Sequence, residues 1–236
     1  MRLQSALAAA ATLTALAFAA ATVERWLDRR RPNELAWSVA LLFFAFAGGA
    51  AWWGASFGWS SGSFRVFYAA GAVVDVPVLA LGTWYLLASP TAARAAMVVT
   101  TIGTAFGAGV VFAAPLRGPI PVRSLPQGSA VFGALPRVFA ASASSVGSVV
   151  LVAGAVWSAA RLARHRDAAA RRLAAANGLI ALGTLVLGAG GLLNSVLGEM
   201  DGFAVTLVIG IALLFVGFLV TTPREVVATS VEAPCP

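Results

Sequence analysis

Seven long apolar runs follow one another along the chain, separated by short polar stretches in which arginine recurs. Each run approaches or exceeds the ~18–20 residues a helix needs to cross a bilayer. They predict helices over residues 4–23, 35–55, 64–87, 95–114, 139–160, 173–196 and 203–221. The expected fold class is therefore all-α: one polytopic seven-helix transmembrane domain over residues 1–221, with a short tail over 222–236.

Composition supports the same reading. Of 236 residues, 60% are hydrophobic and 11% charged, where soluble domains carry about 25% charged residues. Mean hydropathy is +0.89. A soluble fold of this size could not hide that much apolar surface.

Charge sets the expected orientation. All 16 basic residues are Arg. Eleven fall in the loops after the first, third and fifth helices and after the seventh, led by Arg25, Arg29, Arg30 and Arg31 and by the run "RLARHRDAAARR". The other side holds Arg2, Arg65, Arg117, Arg123 and Arg137. The positive-inside rule puts the eleven-Arg side in the cytoplasm, so the N-terminus is expected outside and the C-terminus inside. A cleaved signal peptide over residues 1–21 is the competing reading, and it would reverse every later loop. The net charge of +7 is thus a matter of topology and gives no reason to expect nucleic acid. The expected partners are the bilayer and anionic lipid headgroups at the cytoplasmic Arg loops.

Aromatic residues fit the same depths. Trp52, Trp53 and Trp59 fall near the expected outer boundary, and Trp26, Trp37, Trp84, Tyr85 and Trp157 near the inner one, where amphipathic rings anchor. The outer segment from Pro115 to Arg137 holds five prolines, which bar one continuous helix. It is read as a solvated connector, with a lid across the outer mouth as the alternative.

The chemistry-bearing residue that stands out is Asp75. It lies ~15 Å along the helix from both Arg65 and Tyr85, near the bilayer midplane. An acid there costs ~2.5–3.5 kcal/mol on the insertion scale. The apolar residues around it offset that cost at ~0.3–0.6 kcal/mol each. On the helical wheel Tyr68, Gly71, Ala72, Leu79 and Gly82 share its half-face, so Asp75 is expected to face the bundle. Pro77 lacks an N–H and frees the Val73 carbonyl one turn back, predicting a kink. Asp75 is read as a proton- or substrate-binding acid, or else as a hydrogen-bonded helix glue.

Candidate partners are Tyr68, with Asn177 and Thr184 on the small-residue stripe of the sixth helix. Thr100 and Thr104 on the fourth, and Ser142, Ser144, Ser145 and Ser148 on the fifth, are further polar groups. All are also ordinary helix-packing material in membranes. Arg65, Glu199 and Asp201 form a weaker outer-mouth group of charges. One Cys (Cys235) and one His (His165) exist in the chain, too few for a zinc site. No metal or cofactor is expected, and no catalytic residue. Without Lys there is no Schiff base, and HExxH, P-loop and CxxC motifs are missing.

The stretch "GWSSGSFRVFYAAGAVVDVPVLALGTWYLL" resembles uncharacterised multi-pass, seven-helix membrane proteins of high-GC bacteria. The shared features are an aromatic-Arg start, an apolar helix with Pro, and "LALGT" before an aromatic exit. The resemblance implies the seven-helix architecture and brings no activity or site residue. The function expected is small-solute or proton-linked transport or permeation centred on Asp75, in a bacterial cytoplasmic membrane. The alternative is a non-catalytic scaffold or accessory subunit in which Asp75 and the small-residue faces serve packing. An intramembrane enzyme has the least chemistry available.

Overall fold

The computed structural model describes residues 2–122, 124–165, 167–192 and 200–221. Among the described residues, seven helices are long and apolar enough to cross a membrane. The first is α1 (Arg2–Arg29) and the second α2 (Pro32–Phe57). The third span runs from α3 (Ser61–Tyr68) through a π-helical segment (Ala69–Asp75) into α4 (Val76–Leu87). The fourth is α5 (Pro90–Ala113). A single turn, α6 (Gly128–Val131), precedes α7 (Ala134–Ala163), α8 (Ala168–Leu192) and α9 (Met200–Thr221). The tail beyond residue 221, with Arg224 and Cys235, lies outside the described residues. So do Arg123, Arg166 and Ser195.

The spans reach further than hydropathy alone places them. The first continues to Arg29 because Arg and Glu are good helix formers, and it stops only where Pro32 opens α2. Ser89 caps α5 by accepting from the Ala92 N–H, and Pro90 follows it. That pairing satisfies an orphan donor and presets the first helical φ. Pro136 sits within the first turn of α7, where a missing N–H costs nothing.

Six of the spans close a ring. Contacts run from α1 to α2, from α2 to the third span, from there to α7, then to α8, α9 and back to α1. The fourth span lies outside the ring, against the third span and α7. It exposes Val98, Val99, Ile102 and Phe106 outward, the surface a lipid-facing helix needs. On the far side α8 and α9 approach closely through glycine. A Cβ on Gly183 would lie 2.9 Å from the Gly210 carbonyl, and one on Gly217 the same distance from that of Ala176. Such contacts let backbones meet where no hydrophobic drive exists between helices in lipid.

The end that holds the 115–133 segment is closed by aromatic packing: the expected solvated connector describes its exposed first part, with Leu116 and Val122, but not Pro126, Val131 and Phe132, which are buried. Phe132 is fully buried, with its ring 5.4 Å from Phe64 and 5.1 Å from Tyr68. Val131 and Pro126 are buried with it. The Trp59 N–H donates to the Val122 carbonyl and the Arg117 N–H to that of Val131, each at 3.0 Å. Gly58, at φ +100°, turns the chain so that this docking is reached. Trp59 is buried, only 6% exposed, and lies over Gly54; it packs the plug and is not an interface anchor.

Arg65 takes a different role from the outer-mouth charge expected of it. Its guanidinium donates to the carbonyls of Phe112 at 2.8 Å and Ala114 at 2.7 Å, and also to that of Val111. These are carbonyls at the C-terminal end of α5, which lack intrahelical partners and carry the negative end of the helix dipole. Arg65 therefore ties the third and fourth spans together. Glu199 and Asp201 lie outside the residues whose side chains are described.

Candidate functional site

The third span carries Asp75 at the end of its π-helical segment. Asp75 is buried, 7% exposed. Among the described residues no hydrogen bond or ion pair reaches its carboxyl. Its face lies along α2: a Cβ on Gly71 would press on Ala47, and Gly82 is covered by the Trp37 indole. Trp37 is thus a packing group there and not an anchor. Leu79, one turn from Asp75, joins an interior apolar cluster with Leu41, Phe44, Ile211 and Leu214. The expected inward direction of Asp75 is what these neighbours describe.

The kink chemistry involves the Ala72 carbonyl beside the expected Val73 one. In a π ladder each N–H bonds five residues back. The rung after Asp75 and Val76 would pair the Ala72 carbonyl with the N–H of residue 77, which is Pro. Ser144 on α7 donates to that carbonyl at 2.8 Å. The π register carried one residue past Val76 therefore leaves the Ala72 carbonyl without an N–H beside Pro77, and this is the carbonyl that Ser144 reaches. Gly147, one turn along α7, makes the approach feasible, since a Cβ there would stand 3.0 Å from the Val76 backbone.

This predicts a measurable coupling. Ser144→Ala should destabilise the fold by about 0.6–1.7 kcal/mol, the range for interhelical hydrogen bonds in membranes. In a Pro77→Ala background, where residue 77 regains its N–H, the same change should cost little. Equilibrium unfolding in a denaturing detergent reads both. Equal costs in the two backgrounds would refute the substitution of hydroxyl for amide.

A second polar centre lies at the Arg-rich end. The ring encloses a cavity there of about 400 Å³. Every ring member contributes a wall: Arg25, Trp37, Thr83, Ser158, Asn177 and Thr221 are one residue from each of α1, α2, α4, α7, α8 and α9. Arg29 and Arg31, both exposed, stand at its rim. Glu34, 1% exposed, lies inside.

Arg25 and Glu34 pair at 3.1 Å. The other terminal nitrogen of Arg25 donates to the Thr221 hydroxyl at 3.3 Å, and its guanidinium lies 4.2 Å over the Phe218 ring. One turn deeper Ser38 and Thr22, both buried, meet at 2.9 Å. The second Glu34 oxygen, Oε2, is buried with no hydrogen-bond partner among the described residues. An unpaired carboxylate oxygen in such a place is costly and is satisfied by any donor that enters.

The remaining expected residues divide between these places. Tyr68 packs its ring against Phe132 and Gly128 in the aromatic plug. Asn177 lines the cavity while its amide donates to the Leu173 carbonyl at 3.0 Å. Thr184 is buried and donates to the Ile180 carbonyl at 2.9 Å. Asp75 is not among the cavity's lining residues; the apolar cluster around Leu79 occupies the span between. Arg25 and Glu34 were missed as a site because both were read as loop. The signal was present: if the first helix runs on to the proline, only Arg30 and Arg31 are left to link two antiparallel helices. That places the last turn of one against the first turn of the next.

No family model, curated protein or solved structure matches the chain.

Proposed function

We propose that the chain is a multi-pass carrier of the bacterial cytoplasmic membrane. It moves a small polar solute, coupled to a proton or cation held at Asp75. The observation that carries this reading is the cavity at one end of a six-helix ring, walled by all six members and containing a buried ion pair. The opposite end is closed by Phe64, Tyr68 and Phe132. Asp75 stands between the two on an inward face. The cavity is open at one end, the other end is sealed, and Asp75 lies at mid-depth beyond the cavity's apolar floor; alternating access would join the two by rearranging that floor.

In the positive-inside orientation the cavity faces the cytoplasm. A cytoplasmic reporter fused after Pro236 should be active and an exported one silent; the opposite result overturns the orientation. The transport reading is tested in proteoliposomes loaded with a pH-sensitive dye and challenged with amino acids, sugars and inorganic ions. Solute-dependent proton movement above that of empty liposomes is expected. No response to any of them favours the second reading, a non-catalytic scaffold. That reading draws on Thr104, Asn177 and Thr184, whose polar groups bond to carbonyls of their own helices, as groups that only pack do.

A further inference from the structure

We infer that the cavity at the Arg-rich end recognises a small zwitterion with an apolar body, its ammonium group on Glu34 and its anionic group on Arg29 and Arg31. Three observations converge. Glu34 is almost wholly buried, and only one of its two oxygens is paired, with Arg25. The second is an acceptor that a charged N–H would satisfy. Arg29 and Arg31 stand at the rim and form no ion pair among the described residues, so they are available to an anion. Leu86, Leu151 and Ile180 supply apolar wall, and about 400 Å³ falls within the roughly 300–1,000 Å³ of small-molecule sites.

Single-charge ligands fit worse. A plain anion reaching the interior meets the Glu34 carboxylate. A plain cation must pass two guanidinium groups and then sit beside Arg25. A molecule carrying both charges in the order anion outermost, ammonium innermost meets neither conflict. Such chemistry has two sources, a free amino acid with an apolar side chain and the headgroup of an ethanolamine phospholipid.

Thermal unfolding of the purified full chain tests the inference. In detergent the probe is leucine, with 4-methylpentanoate and 3-methylbutylamine as its two halves. In nanodiscs ethanolamine phospholipid is compared with choline phospholipid, whose quaternary nitrogen has no N–H to donate. A saturable rise in Tm with leucine, or with ethanolamine lipid, is expected, and neither half-molecule nor choline lipid should reproduce it. Leucine response identifies a free solute and lipid response a headgroup; either supports the site. Glu34→Gln should weaken the affinity about tenfold. Ser158→Leu should remove the response by filling the cavity from the far wall, which leaves the inference testable even where Glu34→Gln fails to fold.

Equal stabilisation by 4-methylpentanoate or inorganic phosphate would mean an anion site and overturn the inference. So would no response to either zwitterion, or a response unchanged in Ser158→Leu. The inference rests on reading the ring interior as a solute path. Zwitterion binding without flux would overturn that reading alone, and flux of other solutes without zwitterion binding would overturn only this one.

Discussion

Arg25→Met should cost the fold about 3 kcal/mol, near the lower end of the range for breaking a buried ion pair. The low end applies because the Arg25 side chain keeps 16% exposure while Glu34 keeps 1%. The mutant leaves Glu34 buried without its partner, and that uncompensated charge, more than any lost attraction, sets the cost. A surface pair would give about 0–1 kcal/mol instead. The double mutant Arg25→Met with Glu34→Leu should recover most of the loss, since replacing both members by apolar groups is often neutral. Equilibrium unfolding of the wild type, two single mutants and the double mutant completes the cycle. If the double mutant is as unstable as the sum of the singles, the two residues are not coupled and the cavity has no charged centre. Recovery would carry a further meaning. A pair that stability does not require, held inside a cavity that six helices share, is better explained by what it binds.

The spans themselves were legible because twenty-residue apolar runs leave few alternatives, and the inward face of Asp75 because Gly71 and Gly82 mark close approach to α2. What was not legible has specific causes. Hydropathy trims a helix where charge begins, so Arg25 and Glu34 were assigned to a loop although both are helical. Trp37 and Trp59 lie at the depths where anchoring rings sit, and only the partner glycines, Gly82 and Gly54, show that they pack inward. The Pro115–Arg137 segment carries no periodicity, and the docking of its buried part depends on Phe132 meeting aromatic rings distant in sequence. Ser144 is one of five serines on its helix. Pro77 announces a released carbonyl, but whether that is Ala72 or Val73 turns on a π register that no spacing in the sequence encodes. In each case local pattern gave the element and a long-range contact gave its use.

Asp75→Asn should abolish coupled transport and leave the folded yield unchanged. The substitution preserves side-chain shape and hydrogen-bonding capacity and removes only the ability to bind and release a proton or to hold a cation. No described residue bonds or pairs with the Asp75 carboxyl, so no partner is stranded by the change. An amide is polar but carries no charge, so the substitution does not raise the cost of insertion at mid-depth, which argues against misfolding as the cause of any lost activity. Asp75→Glu keeps the chemistry but displaces the carboxyl by about one C–C bond, ~1.5 Å, and should retain partial flux. Flux per folded molecule in proteoliposomes separates the outcomes. Full activity in Asp75→Asn would remove Asp75 from the mechanism. Reduced yield with unchanged activity per folded molecule would make it a packing residue. Loss of flux at normal yield, partly restored by Glu, assigns the function to the ionisable group. The Ser144–Ala72 hydrogen bond then gains a role beside it. It holds the π register open next to Pro77, and so sets where along the ring that carboxyl stands.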